Sequence, residues 1–291
     1  MAKGSKPHSE RRVIDGNKVE SKIKSRNPII DIDTLQIYMD LPHTIDLEGL
    51  KGSLTIRPVK LGEVIRMGQI KFFMGINPFI TNTTQYRLPL WEMGIDWNEM
   101  SDFELFCMLI HAGVDKEVTD LLFDGEVNWS KFQLFGREKD DGTQEAILYN
   151  EESDIEINEM MYFHISQYIR KMVLREPEEK LTKDPAAKQA FIMKDKRHRA
   201  NEQAKAEGRV KGEDNNESIS FQSLISSCVN HPGFKYKKSE LMEIGLFEFY
   251  DSVKRLQIYE SSIASLHGAM GGMIDAKKLP KDATNFMREV S

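Results

Sequence analysis

Apolar and polar positions along this chain follow two rhythms, and each run ends at a recognisable signal. SLTIR (Ser53 to Arg57) alternates with period two between Gly52 and Pro58, which predicts a short strand. Just after it, LGEVIRMGQIKFFMGI (61–76) carries Leu61, Val64, Ile65, Phe72 and Phe73 near helical spacing, interrupted by Gly68. NPFITNTTQYRLPLWEMGIDW reads as loop or broken helix, because Pro89 and Gly94 forbid a long regular element. Ser101 and Glu104 form a capping box ahead of FELFCMLIHAG, closed by Gly113. DKEVTDLLFDG predicts another short helix stopped by Gly125. WSKFQLFGREKDDGTQEAILYN predicts a hairpin turning at DDG (140–142), DIEI adds an edge strand, and Asn158 caps a helix over 159–174. Met161, Ile165, Tyr168, Ile169 and Met172 share one face of that helix.

The character changes after Arg175. Asp184-Pro185 starts a helix that is almost wholly charged or small beyond Met193 and runs into GRVKGEDNNES. A helix polar on all sides is either a solvent-bridging connector or not a stable helix. From residue 218 the apolar rhythm returns in ISFQSLISSCV, an NHPGF turn, and a helix opened by Ser239. Leu246, Phe249, Tyr250, Val253, Leu256, Ile263 and Leu266 keep a three-four spacing there. The expected fold is α+β and predominantly helical. Its parts are a disordered basic arm (1–30), an α+β body with a small antiparallel sheet (31–175), a charged helical connector (176–217) and a helical C-terminal unit (218–291).

Composition refines this picture. At 40% apolar and 9% aromatic the chain can bury a core, and no run approaches the roughly 18 apolar residues of a membrane span. The first residues lack an apolar core of the secretory type, and two cysteines make no disulfide framework. Residues 1–30 and 185–211 each hold eight Lys or Arg against three acids, so a chain of net charge −6 leaves −16 for the remainder. Two basic, core-poor segments on an acidic body predict solvated arms, or contacts with nucleic acid.

Candidate chemistry is sparse. Cys107 and His111 stand four apart on a predicted helix, and Cys228 and His231 three apart before Pro232. Together they sketch a two-Cys, two-His zinc set, but without a C-x-x-C and more than a hundred residues apart. Each cysteine sits in an apolar run, as a small buried hydrophobe does, and His231 suits a loop anchor. There is no G-x-S-x-G elbow, and GAMGGM (268–273) lacks the Lys-Ser/Thr and preceding strand of a phosphate loop. The acids of DID (31–33) and EESDIEI read as solvated surface. No catalytic, cofactor-binding or metal-ligating residue is therefore assigned.

Two binding surfaces remain. Residues 1–26 and 188–211 could neutralise phosphates, with Lys194, Lys196, Arg197 and Arg199 as the central candidates. Stacking aromatics are missing apart from Phe191, which favours an exposed charged connector. In the last helix, Ile244, Leu246, Phe247, Phe249, Tyr250 and Val253 wrap over half the circumference, more than a unit of about seventy residues covers easily. Leu246, Phe247, Phe249, Tyr250, Val253 and Tyr259 are thus the expected partner-binding residues.

VNHPGFKYKKSELMEIGLFEFYDSVKRLQIYESS with LHGAMGGMIDAKKL resembles the C-terminal portion of tailed-bacteriophage late proteins. INPFITNTTQYRLPLWEMGIDWNEMSDFELFCML and VNWSKFQLF are similar to the same group. The likeness spans roughly residues 45–175 and 218–285. It implies a tail assembly chaperone or a baseplate-hub assembly protein that is not an enzyme and takes no cofactor. Its partners would be other tail or baseplate proteins, met in the host cytoplasm during assembly or in the virion tail. Nucleic acid is the alternative partner. The resemblance carries over no active-site residue and no oligomeric state.

Overall fold

The computed structural model describes residues 27–123, 127–138, 142, 144–207, 220–288 and 290. The arm over 1–26, the stop at Gly125, turn residues 139–141 and the segment 208–219 lie outside them. Among the described residues the chain forms ten α-helices and five strands in two small antiparallel sheets, an α+β fold dominated by helix.

Short helix α1 (Thr34–Tyr38) leads into β1 (His43–Ile45), which pairs antiparallel with β2 (Leu54–Ile56). The strand predicted at 53–57 is β2; its partner is too short to show an alternation in sequence. Helix α2 (Leu61–Met67) and helix α3 (Gln69–Ile80) break at Gly68, whose φ of 95° closes one and opens the other. Helix α3 continues through Pro78 into the stretch expected as loop or broken helix, and the break falls after Ile80, before the next helix starts at Arg87. An interior proline costs about 3 kcal/mol. Burying Phe79 and Ile80 returns about 2 kcal/mol each, so packing wins. The Phe79 ring lies against Phe106, Phe123 and Trp129.

Helix α4 (Arg87–Glu92), helix α5 (Asp102–Ala112) and helix α6 (Lys116–Leu122) complete the first half. The α5 start is the predicted capping box: Ser101 Oγ accepts from the Glu104 amide at 3.1 Å, and Glu104 accepts from the Ser101 amide at 2.7 Å. β3 (Gln133–Glu138), β4 (Gln144–Asn150) and β5 (Ile155–Ile157) form the predicted hairpin and its added strand, in the order β3-β4-β5. Helix α7 (Glu159–Met172) is capped by Asn158 and presents the predicted face to the core.

Residues 27–30, assigned to the disordered arm, are held in place. Asn27 donates to Asp102 at 2.7 Å, and Gln167 bonds both the Pro28 carbonyl at 2.6 Å and the Ile30 amide at 2.9 Å. Long-range side-chain partners, invisible in the local pattern, order this stretch.

Helix α8 (Pro185–Ala206) starts as expected, with Asp184 accepting from the Ala186 amide, but it does not bridge solvent. Ile192 enters a second apolar cluster with Leu88, Leu90, Trp97 and Leu105. Arg87 makes a forked pair with Asp195, Lys188 meets Asp96, and Arg199 meets Glu92. One aliphatic anchor between acid–base pairs straps this polar helix to α4. A mean over all its residues conceals that single contact line.

Helix α9 (Phe221–Asn230) and helix α10 (Leu246–Met270) form the C-terminal unit. Their apolar residues belong to the main core, together with Ile37, Leu54, Leu61 and Tyr168. The Leu246 amide donates to the Val59 carbonyl at 2.7 Å and the Leu61 amide to the Ile244 carbonyl at 2.9 Å, bridging Lys60 to Gly245. Gly245 runs extended, at φ −62° and ψ 146°, to make this bridge, so α10 begins at Leu246 rather than near Ser239. Backbones approach closely here: a Cβ on Gly62 would stand 2.3 Å from the Met242 carbonyl oxygen. Body and C-terminal unit share one core.

Candidate docking surfaces

The stripe expected to meet a partner is largely sealed within the chain. Leu246, Phe247, Phe249 and Val253 are buried, and Tyr250 is half-buried. Phe249 packs against Phe221 and Phe234, and Phe247 meets Tyr38 edge-on. Leu246, Phe247 and Phe249 therefore offer a partner no free surface, which corrects the expectation for these three, while Tyr250 and Val253 also line the trough beside them. A helix apolar over half its circumference needs two covering layers, and here α9 with the Phe234 loop supplies one and the body the other. Only Tyr259 of the expected set stays substantially exposed, at 48%.

Beside this sealed stripe lies an apolar trough. One floor is the outer face of α3, with Ile70, Phe73 and Met74; the facing wall is Phe221 and Leu224 of α9 and Tyr250 and Val253 of α10. It encloses about 870 Å³, and an adjoining depression of about 600 Å³ continues past Gln69 and Phe221 to Ile65 and Ile225. Ile70 is 76% and Met74 72% exposed, one helical turn apart. Arg175 and Lys254 rim the trough, with the Arg175 guanidinium 5.2 Å from the centre of the Phe73 ring. The helical spacing over 61–76 takes in Phe72 and Phe73 but not Ile70 or Met74. The missed signal was Ile70 with Met74, which makes α3 apolar on two sides although only one can face the core.

Beyond Val253, helix α10 leaves the body, and Ser262 is its one buried residue there. The C-terminal segment folds back on it: Arg255 donates to the Arg288 carbonyl at 2.7 Å, and Phe286 meets Tyr259 edge-on. Met270, Met273 and Met287 remain exposed at this end.

The basic residues of α8 divide. Arg199 is held by Glu92, and Lys196 adds to the positive field that lowers the Glu92 carboxyl. Lys194 and Arg197 are exposed, with no ion-pair partner among the described residues. Of the four candidate cations only Arg199 is paired among the described residues, so Lys194, Lys196 and Arg197 face outward.

The cysteine–histidine pairs take structural parts. Burial pushes the Cys107 thiol up to about 12, which keeps it protonated at neutral pH, and the His111 ring bonds the Cys107 carbonyl at 2.9 Å. His231 Nδ1 accepts from the Gly233 amide at 3.0 Å, shaping the turn before Phe234, while Cys228 fills core. Among the described residues no three His, Cys, Asp or Glu side chains gather as a metal site.

A polar cluster lies where β1, α7 and α10 meet. The His43 ring stacks on Tyr168 at 5.1 Å, and Asp40 Oδ1, His43 Nε2 and Tyr168 Oη are buried without a hydrogen-bond partner among the described residues. Burial lowers the His43 and His164 pKa values, the His43 charge adding to the second. Burial, then the Glu248 charge, raises the Asp40 carboxyl, with Glu63 adding to and Lys60 opposing that rise. The histidines thus favour folding when neutral, a contribution present above about pH 6.5 and lost as pH falls through their lowered pKa values. Asp40 acts in the opposite sense: its contribution is present below about pH 4 and lost as pH rises through its raised pKa. His43→Phe preserves the stacking and removes one titration. Its Tm is expected to fall less than that of the wild type between pH 7 and pH 5, and equal falls would contradict the assignment.

Comparison with known protein families, curated proteins and solved structures finds no match to this chain.

Proposed function

We propose that this chain is a non-enzymatic morphogenesis protein of a bacteriophage tail or baseplate, acting through non-covalent contacts with other tail proteins. The resemblance of its central and C-terminal segments to tail-gene products supplies the setting. The observation that carries the mode of action is the second apolar face of α3, where Ile70 and Met74 stand exposed beside the trough. From Gln69 to Asn77 that face spans about 12 Å of helix axis, room for two to three turns of a docked helix. Arg175 and Lys254 at the rim select an amphipathic helix of a tail subunit with carboxylates on its flanks, by charge complementarity across an apolar seam.

A photo-crosslinker replacing Met74 in infected cells is expected to join the chain to a helix of one tail subunit. Ile70→Glu with Met74→Glu should lower recovery of that subunit at least about tenfold while leaving Tm unchanged, because both side chains already face water. Undiminished recovery, or crosslinks scattered over unrelated proteins, would reject the trough as the docking site. Mass spectrometry of purified virions then separates the roles: absence marks a chaperone, stoichiometric presence a structural part.

A further inference from the structure

Strand β3 is unlike the rest of the fold. Among the described residues it pairs with β4 alone, so its other edge offers backbone donors and acceptors to solvent along six residues. Its side chains are exposed on both sheet faces, and only Arg137 is half-buried. Leu134 shares a face with Leu148 and Ile157, both fully buried, yet is itself 51% exposed. Phe135, on the opposite face beside Tyr149, is 50% exposed. Of the two charges on this strand Arg137 is turned inward, bonding Glu156 at 3.1 Å and approaching Glu145 at 3.8 Å within its own sheet, which leaves Glu138 at the strand's end as the exposed one. An open edge flanked by apolar side chains above and below is a pairing site for another strand.

We infer that β3 is the seam of a homodimer, pairing antiparallel with β3 of a second copy to make one six-stranded sheet. The inference is independent of the tail-protein proposal. Symmetry and side chains select the occupant. A twofold axis normal to the sheet can pair only residues of like parity, because opposed residues share a face. Centring it on Phe135 sets the two Phe135 rings opposite each other, an aromatic cross-strand pair. Leu134 then faces Gly136 of the copy, where an added Cβ would meet only Gln144 Oε1 at 3.4 Å, so the space is open for it. Gln133 faces Arg137, and no like charges oppose each other. Centring instead on Gly136 would set Leu134 against Glu138 and leave a bare glycine pair.

The full chain is expected to sediment as a dimer at micromolar concentration, and Phe135→Glu as a monomer with the same circular dichroism and a Tm that no longer rises with protein concentration. Under oxidation, Phe135→Cys should form a covalent dimer, because directly opposed residues lie about 4.5–5.5 Å apart at Cα, within disulfide reach. Leu134→Cys should not, since its twin is displaced by two residues. The native cysteines are both buried, so wild type controls for them. A monomeric wild type overturns the inference. A dimer that survives Phe135→Glu, or a Phe135→Cys chain that does not crosslink, overturns it equally. If Phe135→Glu fails to fold, the cysteine pair decides.

Discussion

Phe249→Ala is expected to lower stability by about 3–5 kcal/mol, roughly 10 °C in Tm, and to do so in a single transition. The ring is fully buried between Phe221, Phe234 and Tyr250, in a core continuous with that of the body. Truncation leaves a cavity that α10 cannot close, because its first turn is bonded to Val59. Calorimetry discriminates sharply here. If Phe249 belonged to a docking ridge on a separate unit, the variant would keep its Tm and lose a partner. If the C-terminal unit folded alone, two transitions would appear, only the second of them shifted. One lowered transition is the signature of a shared core.

Arg170→Ala is expected to cost about 3 kcal/mol. Arg170 is 5% exposed and donates to the carbonyls of Ile80 at 2.8 Å and Thr81 at 2.7 Å. These oxygens close α3, where a helix leaves its last carbonyls without intrahelical donors. Removing the guanidinium strands two buried acceptors and loosens α3 against α7. Arg170→Lys keeps the charge but not the fork, so it should recover less than half of the loss. Urea denaturation of the three proteins measures both steps, and an Arg170→Ala midpoint equal to wild type would refute the assignment.

How much the chain announces in advance depends on the range of the interaction concerned. Ser101 with Glu104, Asn158, and Asp184-Pro185 start helices where local capping requires, since each donor and acceptor lies within four residues. The hairpin β3–β4 and strand β5 follow from alternation between turn residues. Gly68 weakens its helix locally, but the full break also needs the positive φ seen there. How far α3 runs past Pro78 was not legible, because the proline's local cost is outweighed by distant rings around Phe79. Helix α8 misleads: Asp195 and Ile192 are ordinary residues until Arg87 and Leu88 stand opposite them. The trough was readable only in retrospect, from the turn-spaced Ile70 and Met74 on a helix whose other face was already committed.

By itself, then, the order of residues determined the longer helices and the β3–β5 sheet, several of their caps, and the helical α+β class, because those depend on contacts a few positions apart. The tertiary structure alone decided which apolar faces are used up. Two helices can carry equally greasy stripes, yet α10 enters the core and α3 keeps one side in water. That outcome rests on the Lys60–Gly245 bridge drawing residues nearly two hundred positions apart into one sheet-like contact. Burial is a property of pairs of surfaces, and no single segment encodes its own cover.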